Sequence, residues 1–229
     1  MARHGKKYRA IVEKAPKEIL EVGGALDFLK ANPAAAFDET VELGIRLGID
    51  TKKSEQTVRG TVVLPHGSGK SVRVLVFATG PAADAARQAG ADFVGFDDMV
   101  EKVKAGWTDF DVAIATPDAM KEVRKLGRVL GPRGLMPNPK TGSVTDDTST
   151  AVRQSKAGKV EFRMDKHGNV NVPVGKRSFE TKALIENIDA IVAGVRAEKP
   201  AGFKGVYVKN CPVSTTKGVG LRVNIRDQG

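Results

Sequence analysis

Residues 65–71 carry a short pattern that could bind a nucleotide. The run Gly-Ser-Gly-Lys-Ser at 67–71 resembles the end of a phosphate-binding loop, whose backbone N–H groups and lysine hold phosphates. That motif needs a further glycine where Leu64 stands, and it must open a helix. Residues 72–77 are instead apolar and rich in valine, as in a strand. The pattern therefore favours a hinge over a nucleotide site.

Other reactive side chains show no spacing typical of catalysis or metal binding. His4, His66 and His167 are scattered, and Cys211, the one cysteine, excludes an internal disulfide. Four aspartates could suggest a metal-carboxylate cluster, but helix caps and surface positions explain them better. They are Asp97, Asp98, Asp109 and Asp111. We therefore expect no enzyme, no metal and no other cofactor.

The stretch 127–142 is rich in glycine and proline, which interrupt both helices and strands, and it predicts an ordered loop. Its apolar residues are spaced to pack inward while its basic residues project outward. The apolar set is Val129, Leu130, Leu135 and Met136, and the basic set is Arg128, Arg133 and Lys140. We interpret the basic set as a second basic surface, although a loop that closes a sheet edge or an ordinary solvated face is the alternative.

Composition indicates a polyanionic partner. The 229 residues suffice for one large or two small domains, and the net charge is +10, from 37 Lys and Arg against 27 Asp and Glu. Residues 1–66 and 158–229 hold 24 basic and 16 acidic side chains, a net +8, whereas residues 67–157 hold 13 and 11, a net +2. The terminal segments should therefore face the polyanion.

Net charge alone does not decide whether the anionic partner is a nucleic acid or a membrane. No apolar run approaches the ~18 residues of a membrane span, and the basic residues accompany short strands and loops rather than one amphipathic helix. We expect a cytoplasmic protein with no membrane partner.

The first part of the chain predicts two helices, at 6–15 and 24–30, followed by two strands, at 37–48 and 58–64. Alternation in the first strand assigns Val41, Leu43, Ile45 and Leu47 to one face. Because no helix separates the two strands, we expect them to form an antiparallel pair across the polar turn 50–56.

The middle of the chain alternates strands with helices, which predicts a parallel sheet with crossover helices. The predicted strands are 72–78, 93–95 and 110–115, and the predicted helices are 82–89, 97–105 and 118–126. Asp118 is expected in the N-cap region of the last helix. Gly80 is followed by no spaced glycine pair, so the segment is Rossmann-like without a dinucleotide fingerprint.

After the loop, a helix at 148–156 is followed by strands at 160–164 and 170–174, joined by a turn at 165–169. The longest helix is expected at 179–195, and closing strands at 203–208 and 221–225.

The predicted fold class is therefore α/β with two domains. Residues 1–66 and 160–229 form a discontinuous α+β domain that faces the polyanion, and residues 67–159 form an inserted Rossmann-like α/β domain. The two glycine-containing connections between them form a double hinge.

Seven motifs give the chain a resemblance, over nearly its full length, to the bacterial type of the L-one (stalk) family of large-subunit ribosomal proteins. They are FDETVE at 37–42, LGID at 47–50, VRGT at 58–61, LPHG at 64–67, LGPRGLMPNPK at 130–140, VGK at 174–176 and STTKG at 214–218.

The resemblance implies a structural ribosomal protein that is monomeric when free and binds large-subunit rRNA. It also implies a role in the mobile stalk beside the exit site, where the protein assists release of deacylated tRNA, and translational repression through its own mRNA.

The resemblance further implies an RNA-binding set, for which small hydroxyls and bare backbone are chemically suited. By resemblance the set, which makes the discontinuous domain the RNA-binding one, comprises Phe37, Thr40, Lys166, Gly168, Asn169, Thr216 and Gly218; we add Arg46, Lys176, Thr215 and Lys217. A core position is the alternative for Phe37. Lys217 stands where the family usually has methionine, and we expect it to reach a phosphate.

Overall fold

The computed structural model describes residues 5–49, 57–200 and 203–225. Contacts divide these residues into two compact units, and each unit is described by itself. Unit 1 comprises the described residues of 1–69 and 160–229, and unit 2 comprises residues 70–159. The predicted α/β class is confirmed by the mixture of helices and strands. His4 and the predicted turn at 50–56 lie outside the described residues, and the double hinge stays a prediction.

Unit 1 is built around one antiparallel sheet. Its strands are β1 (Thr40–Leu47), β7 (Asn169–Lys176), β8 (Val208–Asn210), β9 (Pro212–Thr215) and β10 (Leu221–Arg222). The order is β10-β9-β1-β7, and β8 also pairs with β1. Helices α1 (Lys6–Lys14), α2 (Val22–Ala31) and α8 (Thr181–Ala197) belong to the same unit. Strand β1, at the centre, therefore connects the beginning of the chain to its end.

The predicted alternation along β1 is confirmed, since Val41, Leu43, Ile45 and Leu47 are buried. They share a core with Leu184, Ile188 and Ile191 of α8 and with Leu26 and Leu29 of α2. Helices thus cover one face of the sheet, and polar side chains alternate onto the other, as is usual for an antiparallel sheet with one solvated face.

Strand pairing differs from the sequence prediction. Strand β2 (Arg59–Val63) does not pair with β1; it forms a separate two-stranded sheet with β6 (Lys159–Arg163). The predicted strand at 203–208 begins only at Val208. Strand β9 was not predicted, because Pro212, Ser214 and Thr215 interrupt the apolar pattern. Long-range partners, not chain proximity, decided these pairings.

Segment 66–67 is fixed to α8 by the fully buried Asn187. Its side-chain oxygen accepts from the His66 N–H at 3.1 Å, and its nitrogen donates to the carbonyls of Gly67 at 3.1 Å and Val174 at 2.8 Å. Gly67 and Gly69 have φ values of 66° and 68°, which favour glycine. Residues 65–71 open no helix, so the helix requirement of a phosphate-binding loop is not met.

Unit 2 contains a parallel three-stranded sheet in the order β4-β3-β5. The strands are β3 (Val74–Phe77), β4 (Phe93–Gly95) and β5 (Val112–Ala115). All four residues of β3 are buried, with Val74 and Val76 in one apolar cluster and Leu75 and Phe77 in another. Helices α3 (Gly80–Gln88) and α7 (Thr148–Lys156) contribute to the first cluster, and α4 (Asp97–Lys104) and α5 (Met120–Val123) to the second.

The predicted helix at 118–126 is shorter than expected. It consists of α5 followed by a 3-10 turn at Arg124–Leu126. Asp118 is not its N-cap: that position is Ala119, and no side chain caps the helix. The start of the predicted loop is helical as well, since α6 spans Gly127–Leu130. Burial of Leu126 and Leu130 in the second cluster outweighs the low helix propensity of glycine.

Trp107 lies at the edge of the second cluster, with its ring edge-on to Phe93 at a centroid distance of 4.8 Å. None of the described helices is long and apolar enough to span a membrane.

Candidate nucleic-acid interface

The uncovered face of the large sheet in unit 1 carries mainly basic and uncharged polar side chains. In register, Thr40 lies beside Lys176, Arg46 beside Asn169 and Asn210, and Arg222 beside Pro212. Glu42 is the acidic residue of this face on β1. Three cations, Arg46, Lys176 and Arg222, thus share a face that can approach a polyanion.

At the centre of this face, Gly44 is closely flanked by the side chains of neighbouring strands. A Cβ atom there would lie 3.2 Å from both the Asn171 side-chain oxygen and the Pro212 ring. Such contacts are tighter than ordinary packing, so a larger side chain would force its neighbours apart. Gly44 therefore leaves room for the Asn171 and Pro212 side chains at the middle of β1.

At one end of β1, Thr40 and Thr216 hold each other through hydrogen bonds. The Thr40 N–H donates to the Thr216 hydroxyl at 3.0 Å, and the Thr216 N–H donates to the Thr40 carbonyl at 3.1 Å. Lys176 Nζ donates to the Thr40 hydroxyl at 3.1 Å. Thr216 is exposed. The predicted residues Thr40, Lys176 and Thr216 are therefore one local group at the surface.

The buried carboxylate of Glu39 lies beneath this group. Its Oε1 accepts from the Lys217 N–H at 3.0 Å and from the Thr215 hydroxyl at 3.5 Å, and its Oε2 accepts from the Ala34 N–H at 3.2 Å. Arg177 Nη1 lies 3.9 Å from Oε2. Sequence reasoning missed Glu39, because a glutamate at the start of a strand has no pattern that indicates burial.

Thr215 has a different position from the one predicted. Its side chain is only 5% exposed and its hydroxyl is directed to Glu39, so it does not offer that hydroxyl to a ligand. Gly218 closes the turn with an N–H donated to the Thr215 carbonyl at 2.9 Å. A Cβ atom at Gly218 would lie 2.1 Å from the Thr215 hydroxyl, so this close approach requires glycine.

Phe37 and Lys217 form a pair at the edge of the same end. Phe37 is 49% exposed, so the alternative of a core residue is wrong. Lys217 Nζ lies over its ring at 5.8 Å from the centroid, a cation–π geometry. A flat aromatic ring and a cation are thus presented together.

The predicted residues Arg46, Lys166, Gly168 and Asn169 lie at the opposite end of β1, six residues or about 20 Å away. The turn between β6 and β7 is organised by Asp165, whose Oδ1 accepts from the N–H groups of His167 at 2.7 Å and Asn169 at 2.8 Å. These bonds hold the pKa of Asp165 below its usual value. Lys166 is exposed, whereas Gly168 is buried and contributes its carbonyl to the Leu47 N–H.

The structure therefore groups the predicted RNA-binding set into two clusters joined by the sheet face. The strand residues between them were not predicted. Asn171 and Ser214, which fill this face, lacked any motif that distinguishes them from ordinary surface polar residues.

The second basic surface lies in unit 2, and Arg128, Arg133 and Lys140 are all exposed. Arg133 donates to the Thr108 hydroxyl. The backbone of Lys140 is held by Asn138, whose side-chain oxygen accepts the Lys140 N–H at 2.8 Å. Leu130 is fully buried, and Val129, Leu135 and Met136 pack partly against the same cluster, as the spacing predicted.

Comparison with known families matches residues 29–219 to the Ribosomal protein L1p/L10e family. The matched region includes β1, the 165–169 turn and the 215–218 turn, that is, both clusters of the candidate interface.

Proposed function

The chain belongs to the Ribosomal protein L1p/L10e family, a family of structural ribosomal proteins that bind rRNA, and on that premise we propose that the uncovered sheet face of unit 1 is its RNA-binding surface. The two clusters at the ends of β1 and the strand residues between them form this surface. No enzymatic step is assigned to it.

One observation carries the proposal: exposed hydroxyl, backbone and cationic groups lie together on a face that none of the described helices covers. Structured RNA is recognised through its shape, its 2′-hydroxyls and its phosphates, which need close backbone approach and small polar groups. Thr40 and Thr216 supply such groups, and Arg46 and Lys176 supply cations at the two ends. The separation of about 20 Å between the ends would let the face contact RNA at two places.

We further infer that the RNA is large-subunit rRNA, that the protein is of the bacterial type, and that it forms the mobile stalk beside the tRNA exit site. There it would assist the release of deacylated tRNA, as a cytoplasmic monomer joining the ribosome. The sequence motifs at 37–42, 130–140 and 214–218 support these inferences through their resemblance to the stalk family.

We also infer that the free protein represses translation of its own mRNA. A surface that reads shape and backbone accepts any RNA that presents the same shape, so rRNA and mRNA would compete for it. Competition between the two RNAs for the protein, measured by filter binding, tests this inference.

Filter binding to a large-subunit rRNA fragment tests the proposed surface. Arg46→Glu should weaken binding strongly, because it places a negative charge on the face that approaches RNA phosphates. Lys14→Glu is the matched control: it makes the same charge change on α1, which packs into the core through Ile11. Equal losses in the two variants, or none in either, would refute the assignment of the face.

A further inference from the structure

We propose that Glu39 is a positioning residue for RNA binding: its buried carboxylate fixes the 215–218 turn in the conformation that receives RNA. This inference rests on the proposed function of the sheet face. It adds a residue that touches no RNA itself and whose burial no sequence pattern indicated.

The contacts of Glu39 come from three separate parts of the chain. Ala34 precedes β1, Thr215 ends β9 and Lys217 lies in the turn after it, and Arg177 follows β7. Glu39 is itself bound to this last segment, because its carbonyl accepts the Arg177 N–H at 2.9 Å. One side chain thus ties together the three segments that meet at this end of the sheet.

Burying the Glu39 carboxylate costs free energy, so its position must serve the structure around it. Its side chain is fully buried, and removing a carboxylate from water is costly unless it is hydrogen-bonded and paired. An acidic group beneath a surface that binds a polyanion also opposes binding through its charge. Its contribution to binding must therefore come from geometry, and the geometry it controls is that of the turn.

The turn is held on both sides of its exposed residue. Lys217 is bound to Glu39 through its backbone, Thr215 through its hydroxyl, and Thr216 between them pairs with Thr40. Because Gly218 has no side chain, the Thr215 hydroxyl keeps its place near Glu39. Without the carboxylate, the Lys217 N–H and the Thr215 hydroxyl lose their acceptor, and Thr216 is held through its bonds to Thr40 alone.

The test compares two substitutions that remove the same charge, Glu39→Gln and Glu42→Gln, by filter binding of the full chain to a large-subunit rRNA fragment. Glu42 is exposed on the sheet face, so its neutralisation should tighten binding by up to about threefold. Glu39→Gln should weaken binding by about 10- to 100-fold, because the hydrogen bonds to the turn lose their charge assistance and the new amide NH2 group faces the N–H donor of Ala34 or Lys217. Weaker RNA binding by Glu39→Gln together with tighter binding by Glu42→Gln supports the proposal. If Glu39→Gln binds RNA as tightly as the wild type, or more tightly, the proposal is overturned.

Two further measurements separate positioning from a loss of folding. Thr216→Val should weaken RNA binding much less in the Glu39→Gln background than in the wild-type background, because the turn is no longer fixed; additive effects would overturn the proposal. Thr215→Val, at a side chain too buried to touch RNA, should weaken binding about threefold or more, while Thr215→Ser should not. This pair provides the test if Glu39→Gln fails to fold.

The same binding measurements distinguish a failure of the proposed RNA-binding function from a failure of the proposed role of Glu39. If the wild-type chain does not prefer the rRNA fragment over an unrelated RNA of equal length, the proposed function fails. If the wild type prefers it and Glu39→Gln binds as tightly as Glu42→Gln, only the role of Glu39 is refuted.

Discussion

Replacing Thr216 by valine tests the interface at its most exposed hydroxyl. Valine has nearly the shape of threonine, so the change removes the oxygen and leaves packing almost unchanged. In the free protein this oxygen accepts the Thr40 N–H at 3.0 Å. Water can replace it there, because Thr216 is exposed, so we expect a loss of unfolding free energy of about 0.5–1 kcal/mol.

The loss should be larger in the RNA complex. Bound RNA excludes water from the site, so the Thr40 N–H would then have no acceptor and the RNA would lose a hydroxyl partner. Leaving such a group unsatisfied costs about 1–3 kcal/mol, which corresponds to roughly a 5- to 150-fold higher Kd. Because no charge is removed, the slope of log affinity against log salt should not change.

Filter binding at several salt concentrations measures both the Kd and the slope of log affinity against log salt. Thr216→Ser is the control, because it keeps the hydroxyl. The serine variant should bind within about threefold of wild type. If valine binds as tightly as threonine, or if serine loses as much as valine, the hydroxyl does not contribute as described. A change in slope would show that the variant disturbs phosphate contacts instead.

Three other predictions address charge, pH and domain organisation. Lys217→Met should reduce the salt slope of RNA binding by about one, if Lys217 leaves the Phe37 ring for a phosphate on binding; an unchanged slope would show that it does not. The Lys70 ammonium and the Arg73 N–H lower the pKa of Asp111 to about 2, so ionised Asp111 stabilises the fold above about pH 4 and this contribution is lost as the pH falls towards 2. The difference in Tm between wild type and Asp111→Asn should therefore shrink over that range, and a constant difference would contradict the assignment. Finally, a chain joining residues 1–66 to 160–229 by a short linker should keep specific RNA affinity in filter binding, while residues 67–159 alone bind weakly; equal affinities would refute the division of roles.

Local patterns predicted individual elements well. The alternation of Val41, Leu43, Ile45 and Leu47 has a period of two, which only a half-buried strand satisfies, and the structure confirms it. Helix α7 begins at Thr148 as predicted, and Asp147 caps it by accepting the Thr150 N–H at 3.0 Å. In both cases the information lies within a few neighbouring residues.

Pairing and burial at a distance could not be predicted in the same way. The neighbours of β1 come from residues 169–176 and 208–215, and no local pattern marks which strands meet. The polar strand β9 and the buried Glu39 were missed for one reason: each is stabilised by partners far away in sequence. At the interface, motifs identified Thr216 and Lys217, whereas the inward direction of Thr215 follows from its register opposite the buried Val41 and from its bond to Glu39.

The position of Trp107 gives the molecule separate optical reporters. It is the one tryptophan of the chain and belongs to unit 2, whereas the two tyrosines, Tyr8 and Tyr207, belong to unit 1. Indole emission excited at wavelengths that tyrosine does not absorb therefore follows the melting of residues 70–159 alone. Comparing it with far-ultraviolet dichroism, which senses the entire backbone, would reveal whether the two units unfold in a single transition or one after the other.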